Sequence, residues 1–350
     1  MIFLLIVLGL LLYFAERYSM AHVLDGLTFE TETDRILVEP GESFCWKFTI
    51  SNSKRMMVPY LKVKELVPEG LVFEAGGPLK SEALVSTLYL AGRQKAELKR
   101  KVSLSCRGRY FFRGASVEAG DFLGYQSITA SYPEIREMVV KPKPSAFWEL
   151  SGLLGGFLGE HAVRQGLMED PLSIVGFREY TGREPFRAIS WSQSARNRRL
   201  LVKQYENTVD FSCSVLLIVS DDGGEGRRER LETCFSVVRS VCEELERRRL
   251  TYDFRTNGSI AGAMGSWNRV GEGLGRGHLE AVLEGLGRMT YDRREEEAVF
   301  LERENRMLQG KRSFIVVAPE RNELLESAVE RLKRVSGREV LLLCAKEMEG

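Results

Sequence analysis

Apolar residues follow three successive patterns along this chain, and each predicts a different kind of element. Residues 2–15 read IFLLIVLGLLLYFA, a run with no charge and one glycine, which predicts an apolar helix. Beyond residue 23 the period becomes two: Phe44, Trp46, Phe48 and Ile50 alternate with Cys45, Lys47 and Thr49 after a Pro40-Gly41 turn. Side chains alternate across a strand, so this is a strand with an aromatic face that another sheet must cover. A second alternating run puts Ala96, Leu98, Val102, Leu104 and Cys106 on one face, interrupted there only by Arg100. Shorter apolar pieces at Leu61 and Val63, 71–73, 110–112 and 138–140 recur between Gly, Pro and Asn residues.

Strands spaced in this way predict a β-sandwich of about seven strands over residues 23–142, immunoglobulin-like in layout. Pro142 and Pro144 close it, and the glycine-rich stretch 151–161 reads as part of a linker over 143–175. From residue 211 to 350 the pattern becomes strand, helix, strand, helix. Residues 214–220 are a continuous apolar run, as in a strand buried on both faces. Leu231, Cys234, Phe235, Val238, Val241, Cys242 and Leu245 recur at helical spacing over 227–249. Further strands are predicted at 251–255, 314–318 and 340–344. Helices fall around Leu279, Val282, Leu283 and Leu286, and from Leu324 to Val335 with Gly337 as the stop. The alternation predicts a doubly wound α/β domain.

Fourteen helical residues reach roughly 21 Å, short of the ~30 Å hydrocarbon core. Met1, Arg17 and Tyr18 extend the run into a thin-bilayer membrane anchor over residues 1–18. A signal peptide is the alternative, although a basic leader and a small-residue cleavage site are missing. The net charge is +1, so no global field draws nucleic acid or an anionic surface. Six cysteines without paired spacing read as free thiols in a reducing compartment, which favours a single-pass protein of the cell membrane with a cytoplasmic body.

The densest chemistry lies in residues 176–206, GFREYTGREPFRAISWSQSARNRRLLVKQYE. It holds Arg178, Glu179, Tyr180, Gly182, Arg187, Trp191, Arg196, Arg198 and Arg199 within a locally basic stretch. Ile189, Trp191, Ala195, Leu200 and Val202 read as its docked apolar side, with Trp191 the buried anchor. Arg178, Glu179, Arg187 and Arg196 can form intramolecular ion pairs, or the arginines can form an exposed recognition surface for a partner. The run resembles the signature of bacterial domain-of-unknown-function family 58. The elements SCRGRYFF at 105–112 and AGDFLG at 119–124 are similar to two further family elements, without the usual proline in the second. The chain departs from the family at Arg183, where an Asp is common, and at Ser192, where a Lys is common. It also shows one N-terminal helix where the family commonly has two.

The resemblance implies that the domain over 211–350 is von Willebrand factor A-like, with 176–210 as the signature segment in front of it. It also implies a non-enzymatic adaptor or scaffold that partners MoxR-type AAA+ ATPases in envelope-associated maturation. That fold often carries an Asp-x-Ser-x-Ser metal motif at the end of its first strand. The matching positions here are Val219, Asp221 and Gly223, a degenerate set that predicts no metal. Asp221 or Asp222 reads instead as a turn and helix N-cap. GEGLGRG at 271–277 lacks a phosphate-loop ending and reads as a flexible loop. His22, His161 and His278 have no ligand spacing, and no nucleophile is placed with a base. The expectation is therefore a binding protein without cofactor, small-molecule substrate or nucleic-acid partner. A metal-dependent adhesion module and an unrecognised hydrolase are the alternatives.

Overall fold

The computed structural model describes residues 2–74, 77–78, 83–121, 126–147, 149–165, 174–182, 186–205, 212–221, 224, 226–262, 268–307, 312–337 and 339–348. The chain divides into two units. The first comprises Met1–Pro144, Ile260–Trp267 and Glu280–Thr290; the second comprises Ser145–Ser259, Asn268–Leu279 and Tyr291–Gly350.

The first unit opens with helix α1 (Ile2–Ala21). Twelve strands follow among the described residues: β1 (Leu27–Thr33), β2 (Leu37–Val38), β3 (Phe44–Asn52), β4 (Val58–Leu66), β5 (Leu71–Phe73), β6 (Gly77–Pro78). The series continues with β7 (Ala83–Leu90), β8 (Lys95–Leu104), β9 (Gly108–Phe112), β10 (Ala115–Gly120), β11 (Ser127–Tyr132) and β12 (Arg136–Val140). They form three sheets, ordered β1-β3-β8-β5-β6, β11-β10-β4-β7 and β2-β12-β9, where about seven strands were expected.

The predicted aromatic face is inside. Phe48 and Ile50 of β3 pack with Leu61, Val63 and Val117, while Phe44 and Trp46 pack with Leu71, Val102, Leu104 and Phe112. β3 and β8 pair antiparallel, with Phe44 opposite Val102 and Phe48 opposite Leu98, so both alternating runs face the same interior. Cys106 lies beyond the end of β8 and is exposed; the apolar face stops at Leu104. Arg100, the interruption in that face, reaches buried Glu65 at 2.8 Å and Ser86 Oγ at 2.8 Å, and lies over the Trp46 ring.

Met20 at the end of α1 joins Val23 and Leu27 in this core, whereas Phe3, Leu4, Leu11, Leu12 and Phe14 are exposed. Among the described residues no helix is long and apolar enough to cross a membrane; Glu16 and Arg17 close the uncharged run of α1. Arg107, in the SCRGRYFF element, is buried and donates to the carbonyls of Leu286 at 2.7 Å and Met289 at 2.9 Å. A guanidinium on terminal carbonyls satisfies acceptors that a helix end leaves open. Phe122, Leu123 and Gly124 of the AGDFLG element lie outside the described residues.

The first element of the second unit is a helix. The expected linker contains helix α2 (Leu150–Gln165), with Leu150, Leu154 and Leu158 buried at four-residue intervals. Four glycines obscured that stripe. A two-stranded sheet of β13 (Ile174–Glu179) and β14 (Leu201–Tyr205) follows, with helix α3 (Trp191–Asn197) between them in sequence.

The α/β part contains β15 (Ser212–Leu217), α4 (Arg227–Arg247), β16 (Thr251–Thr256), β17 (Gly258–Ile260), β18 (Arg269–Gly273) and α5 (Arg276–Arg288), with Ile260 and Glu280–Thr290 belonging to the first unit. The remainder is β19 (Met289–Arg293), α6 (Glu297–Met307), β20 (Arg312–Ala318), α7 (Glu323–Ser336) and β21 (Val340–Cys344). Its sheet runs β18-β16-β15-β20-β21, with β18 antiparallel to β16 and the other neighbours parallel. Leu216, Ile218, Phe314 and Val316 pack with Phe300 and Leu301 of α6 and with Leu325 and Leu332 of α7. α7 starts on an Asn322 side-chain cap and stops at Gly337, whose φ of 64° suits glycine. Strands β17, β18 and β19 and helix α6 are additions to the predicted order. The chain leaves central β15 toward β16 on one side and returns to β20 on the other, which creates a topological switch at the carboxyl end of β15.

Candidate functional site

The arginine-rich segment is built on three short elements. β13 and β14 pair antiparallel with Phe177 opposite Lys203, Arg178 opposite Val202 and Glu179 opposite Leu201, and Ile189 bridges to Val202. Ser194 of α3 is buried and its Oγ accepts the Leu201 N–H at 2.8 Å, while the Ser190 N–H donates to Leu201 O at 2.8 Å. These bonds fasten α3 to β14. Arg198 ends the helix with φ 51°, a left-handed conformation usually left to Gly or Asn. Gly182, at φ +87°, occupies a conformation that a side chain would strain.

The buried apolar side of the segment consists of Ile189 and Val202. Trp191 is 63% exposed, so the expectation of a buried anchor is overturned; Ala195 and Leu200 are exposed too. The sheet here has two strands and offers little surface to cover an indole; among the described residues of the segment Ile189, Ser190, Ser194 and Val202 are the buried ones. Phe186 is 71% exposed, and its ring lies 6.2 Å from the half-buried Tyr180. Phe177 is exposed as well.

Glu179 pairs with Arg199 at 2.5 Å, with both side chains about two-thirds exposed (65% and 67%). Such surface pairs contribute little, about 0–1 kcal/mol. The partner that Glu179 has here, Arg199, lies outside the expected set of Arg178, Arg187 and Arg196. Arg178, Arg196 and Arg198 are exposed. The Arg187 side chain and residues Arg183, Glu184 and Pro185 lie outside the described residues. The segment therefore presents exposed aromatics beside exposed guanidiniums, the composition that carries binding energy at interfaces. Exposure of Phe177 and Phe186 had no sequence signal, because an aromatic in a short amphipathic element reads by default as core.

At the carboxyl end of β15 the metal-motif positions are occupied differently. Val219 is fully buried; its N–H donates to Asn257 Oδ1 at 2.7 Å and its carbonyl accepts from Asn257 Nδ2 at 3.0 Å. Asp221 pairs with Arg227 at 3.4 Å. Arg227 also donates to the carbonyls of Ser220 at 2.9 Å and Tyr291 at 2.6 Å. A tethered guanidinium thus sits among the oxygens at the switch point. Gly223 and Asp222 lie outside the described residues. Among the described residues no group of three or more His, Cys, Asp or Glu side chains could hold a metal ion.

The glycine-rich stretch 271–277 is not a free loop: it is the end of β18 and the start of α5. The Gly275 N–H lies 2.9 Å from each oxygen of Glu246, so an internal carboxylate takes the position in which a helix start could bind an anion. Burial raises the thiol pKa of Cys213 and Cys242, which suppresses their thiolates and their reactivity. A cavity of 360 Å³ between α2 and α4 is lined by Phe147, Leu150, Ser151, Leu154, Ser240, Glu243, Glu244 and Arg247.

No family model matches the chain, and no curated protein matches it. Among solved structures, a CARDB domain from Pyrococcus furiosus, crystallised with di-metal ions, is 16% identical over 33% of this chain and 91% of its own, with a TM-score of 0.22. The sporulation control protein Spo0M of Bacillus subtilis is 12% identical over 44% of this chain and 58% of its own, with a TM-score of 0.23. Both scores are too low for either neighbour to inform the function. The architecture stands as observed, a mixed fold with a β-rich multi-sheet unit and an α/β unit.

Proposed function

We propose that this chain is a non-enzymatic adaptor whose docking surface is the arginine-rich segment, and that its partner is a MoxR-type AAA+ ATPase, as the family resemblance implies. The observation that carries the reading is the 63% exposure of Trp191 in a segment whose few buried contacts are made without it. A large aromatic held in solvent beside Arg196, Arg198 and Arg199 is costly to expose and suited to a partner's pocket.

In this reading the β-rich unit is an immunoglobulin-like spacer and the α/β unit is von Willebrand factor A-like. Two features support the latter: β15 is central among the parallel strands, and an antiparallel strand closes the β16 edge. Arg227 takes the place of a metal in it. The exposed apolar residues of α1 seat the chain at the cell membrane, and the free, exposed Cys106 suits a body on the reducing, cytoplasmic side.

Purified full-length chain in detergent micelles, immobilised and offered a MoxR-type ATPase with ATP, tests the docking surface. Wild-type capture with loss in Trp191→Ala and in Arg198→Glu/Arg199→Glu is expected. Equal capture by correctly folded variants rejects the surface, and no capture by wild type rejects the partner.

A further inference from the structure

Within the β-rich unit, the turn after β4 and the end of β9 enclose a cavity of 320 Å³. Val67, Pro68 and Glu69 stand on one side of it, and Arg109, Phe111 and Arg113 on the other. Backbone bonds hold the two sides together: the Arg113 N–H donates to the Leu66 carbonyl at 3.1 Å, and the Leu66 N–H donates to that of Gly114 at 2.9 Å. At Gly114, where φ is +81°, a Cβ would meet the Tyr132 carbonyl oxygen at 2.2 Å, so glycine is what permits the crossing. Arg109 is engaged within the protein, with Nε 2.5 Å from Glu137 and its guanidinium 5.1 Å from the centre of the Phe111 ring. Arg113 and Glu69 are both exposed. Among the described residues neither side chain has an ion-pair or hydrogen-bond partner, so the two line one cavity without reaching each other.

We propose that this cavity binds a free aromatic α-amino acid as its zwitterion, with Arg113 taking the carboxylate, Glu69 the ammonium, and Phe111 and Pro68 the ring. Charge complementarity identifies the class. An unpaired guanidinium and an unpaired carboxylate that face one cavity suit a ligand carrying one charge of each sign close together, and an α-amino acid is the simplest such molecule with an apolar tail. The guanidinium presents a planar fork that matches a carboxylate. The Glu69 oxygens accept hydrogen bonds that an ammonium donates. Phe111, steadied by the Arg109 guanidinium over its ring, offers an aromatic surface against which a second ring can pack.

The same two side chains disfavour other ligands. A phosphate or other polyanion meets Glu69 as a like charge, and a ligand with only a cation meets Arg113 in the same way. The cavity is at the small end of the ~300–1,000 Å³ usual for ligand sites, which fits a single amino acid and leaves no room for a larger metabolite. Both charges stand in solvent, where each ion pair contributes little, so the affinity is modest, on the order of millimolar.

The test is a ligand-observed NMR titration of the full-length chain in detergent micelles, with empty micelles as the reference. The probes are L-phenylalanine, phenylpropionate, which lacks the ammonium, and phenethylamine, which lacks the carboxylate. L-phenylalanine is expected to bind, and each analogue to bind about tenfold more weakly, the scale of one lost hydrogen bond to a charged group. Arg113→Gln should weaken L-phenylalanine and phenylpropionate while sparing phenethylamine. Glu69→Gln should weaken L-phenylalanine and phenethylamine while sparing phenylpropionate. Neither substitution should lower the melting temperature, because both side chains are exposed. Absence of L-phenylalanine binding to the wild type overturns the proposal. So does an analogue that binds as tightly as L-phenylalanine, or L-phenylalanine binding that survives both substitutions.

Discussion

Glu65 and Arg100 form an ion pair inside the β-rich unit, with the guanidinium Nη1 2.8 Å from a carboxylate that is fully buried. The other carboxylate oxygen, Oε2, is buried without a hydrogen-bond partner. Burial raises the Glu65 pKa above its ordinary 4.5, and the charge and hydrogen bond of Arg100 oppose that rise. The pair explains why an arginine stands in the otherwise apolar row of β8: it neutralises a carboxylate that β4 carries into the interior.

Removing one partner should therefore be worse than removing both. Arg100→Met is expected to cost about 3–5 kcal/mol, the usual penalty for an uncompensated buried charge. Glu65→Met/Arg100→Met should lose much less or gain stability, because a buried pair repays little more than its own desolvation. Urea unfolding of both single variants and the double variant checks this, and equal losses in all three would contradict it.

The same pair predicts a pH slope. A carboxyl with a raised native pKa binds its proton more tightly in the folded state, so its contribution is fully present below the unfolded value and is lost as pH rises through the native one. The stability contributed by Glu65 should fall as pH increases from about 4.5, and Arg100→Met should extend the fall to higher pH. Glu65→Gln should remove this component from the stability-versus-pH curve. A curve of unchanged shape in Glu65→Gln would mean that the carboxyl titrates alike in both states.

Periodicity made much of the fold legible. Phe44, Trp46, Phe48 and Ile50 of β3 fell on one face because a half-buried strand imposes a period of two, and the helical spacing of Leu231 to Leu245 gave α4. Elements held by few apolar residues escaped. β18 ends inside GEGLGRG, where glycines read as loop, and α6 buries little beyond Phe300, Leu301 and Glu304. Trp191 was misassigned for a related reason. Its residue type argues for burial, while the two-stranded sheet beneath it has too little area, and sheet size is a property of topology that local sequence does not carry.

Trp191 supplies a direct test of that assignment. A buried tryptophan costs about 3–5 kcal/mol on truncation, whereas an exposed one away from special contacts changes stability by about 0.5 kcal/mol. Trp191→Ala should thus melt within a degree or two of wild type, since ~1 kcal/mol moves the midpoint of a domain this large by about 2–4 °C. A loss in the buried range would return the indole to a core.

Arg227 makes a different prediction at the carboxyl end of β15. Removing its guanidinium leaves the carbonyls of Ser220 and Tyr291 without the donor that each has now, and Arg227→Ala should cost about 1–3 kcal/mol. Arg227→Lys should recover only part, because an ammonium lacks the planar fork that spans two acceptors. With the guanidinium in place, millimolar magnesium or manganese should leave the melting temperature unchanged. A clear rise that Asp221→Ala abolishes would show a metal binding there.

Helix α2 gives the sharpest contrast between sequence expectation and structure, because the same glycines that suggest a linker also weaken the helix. Gly152 and Gly156 lie within α2, and a Cβ built on either meets no atom within 4 Å. Neither has a positive φ, so alanine fits the existing backbone. A glycine in a helix interior is less favourable than alanine by roughly 0.5–1 kcal/mol, largely through the freedom it regains when unfolded. Gly152→Ala/Gly156→Ala should therefore stabilise α2 by about 1–2 kcal/mol. Leu154→Ala, by emptying a fully buried position in the Leu150–Leu154–Leu158 stripe, should cost about 2–5 kcal/mol. Amide hydrogen exchange across residues 150–165 reads both: protection should increase in the glycine variant and collapse in Leu154→Ala. If the region were a linker, neither substitution would change its exchange, since an unstructured chain has no protection to gain or lose.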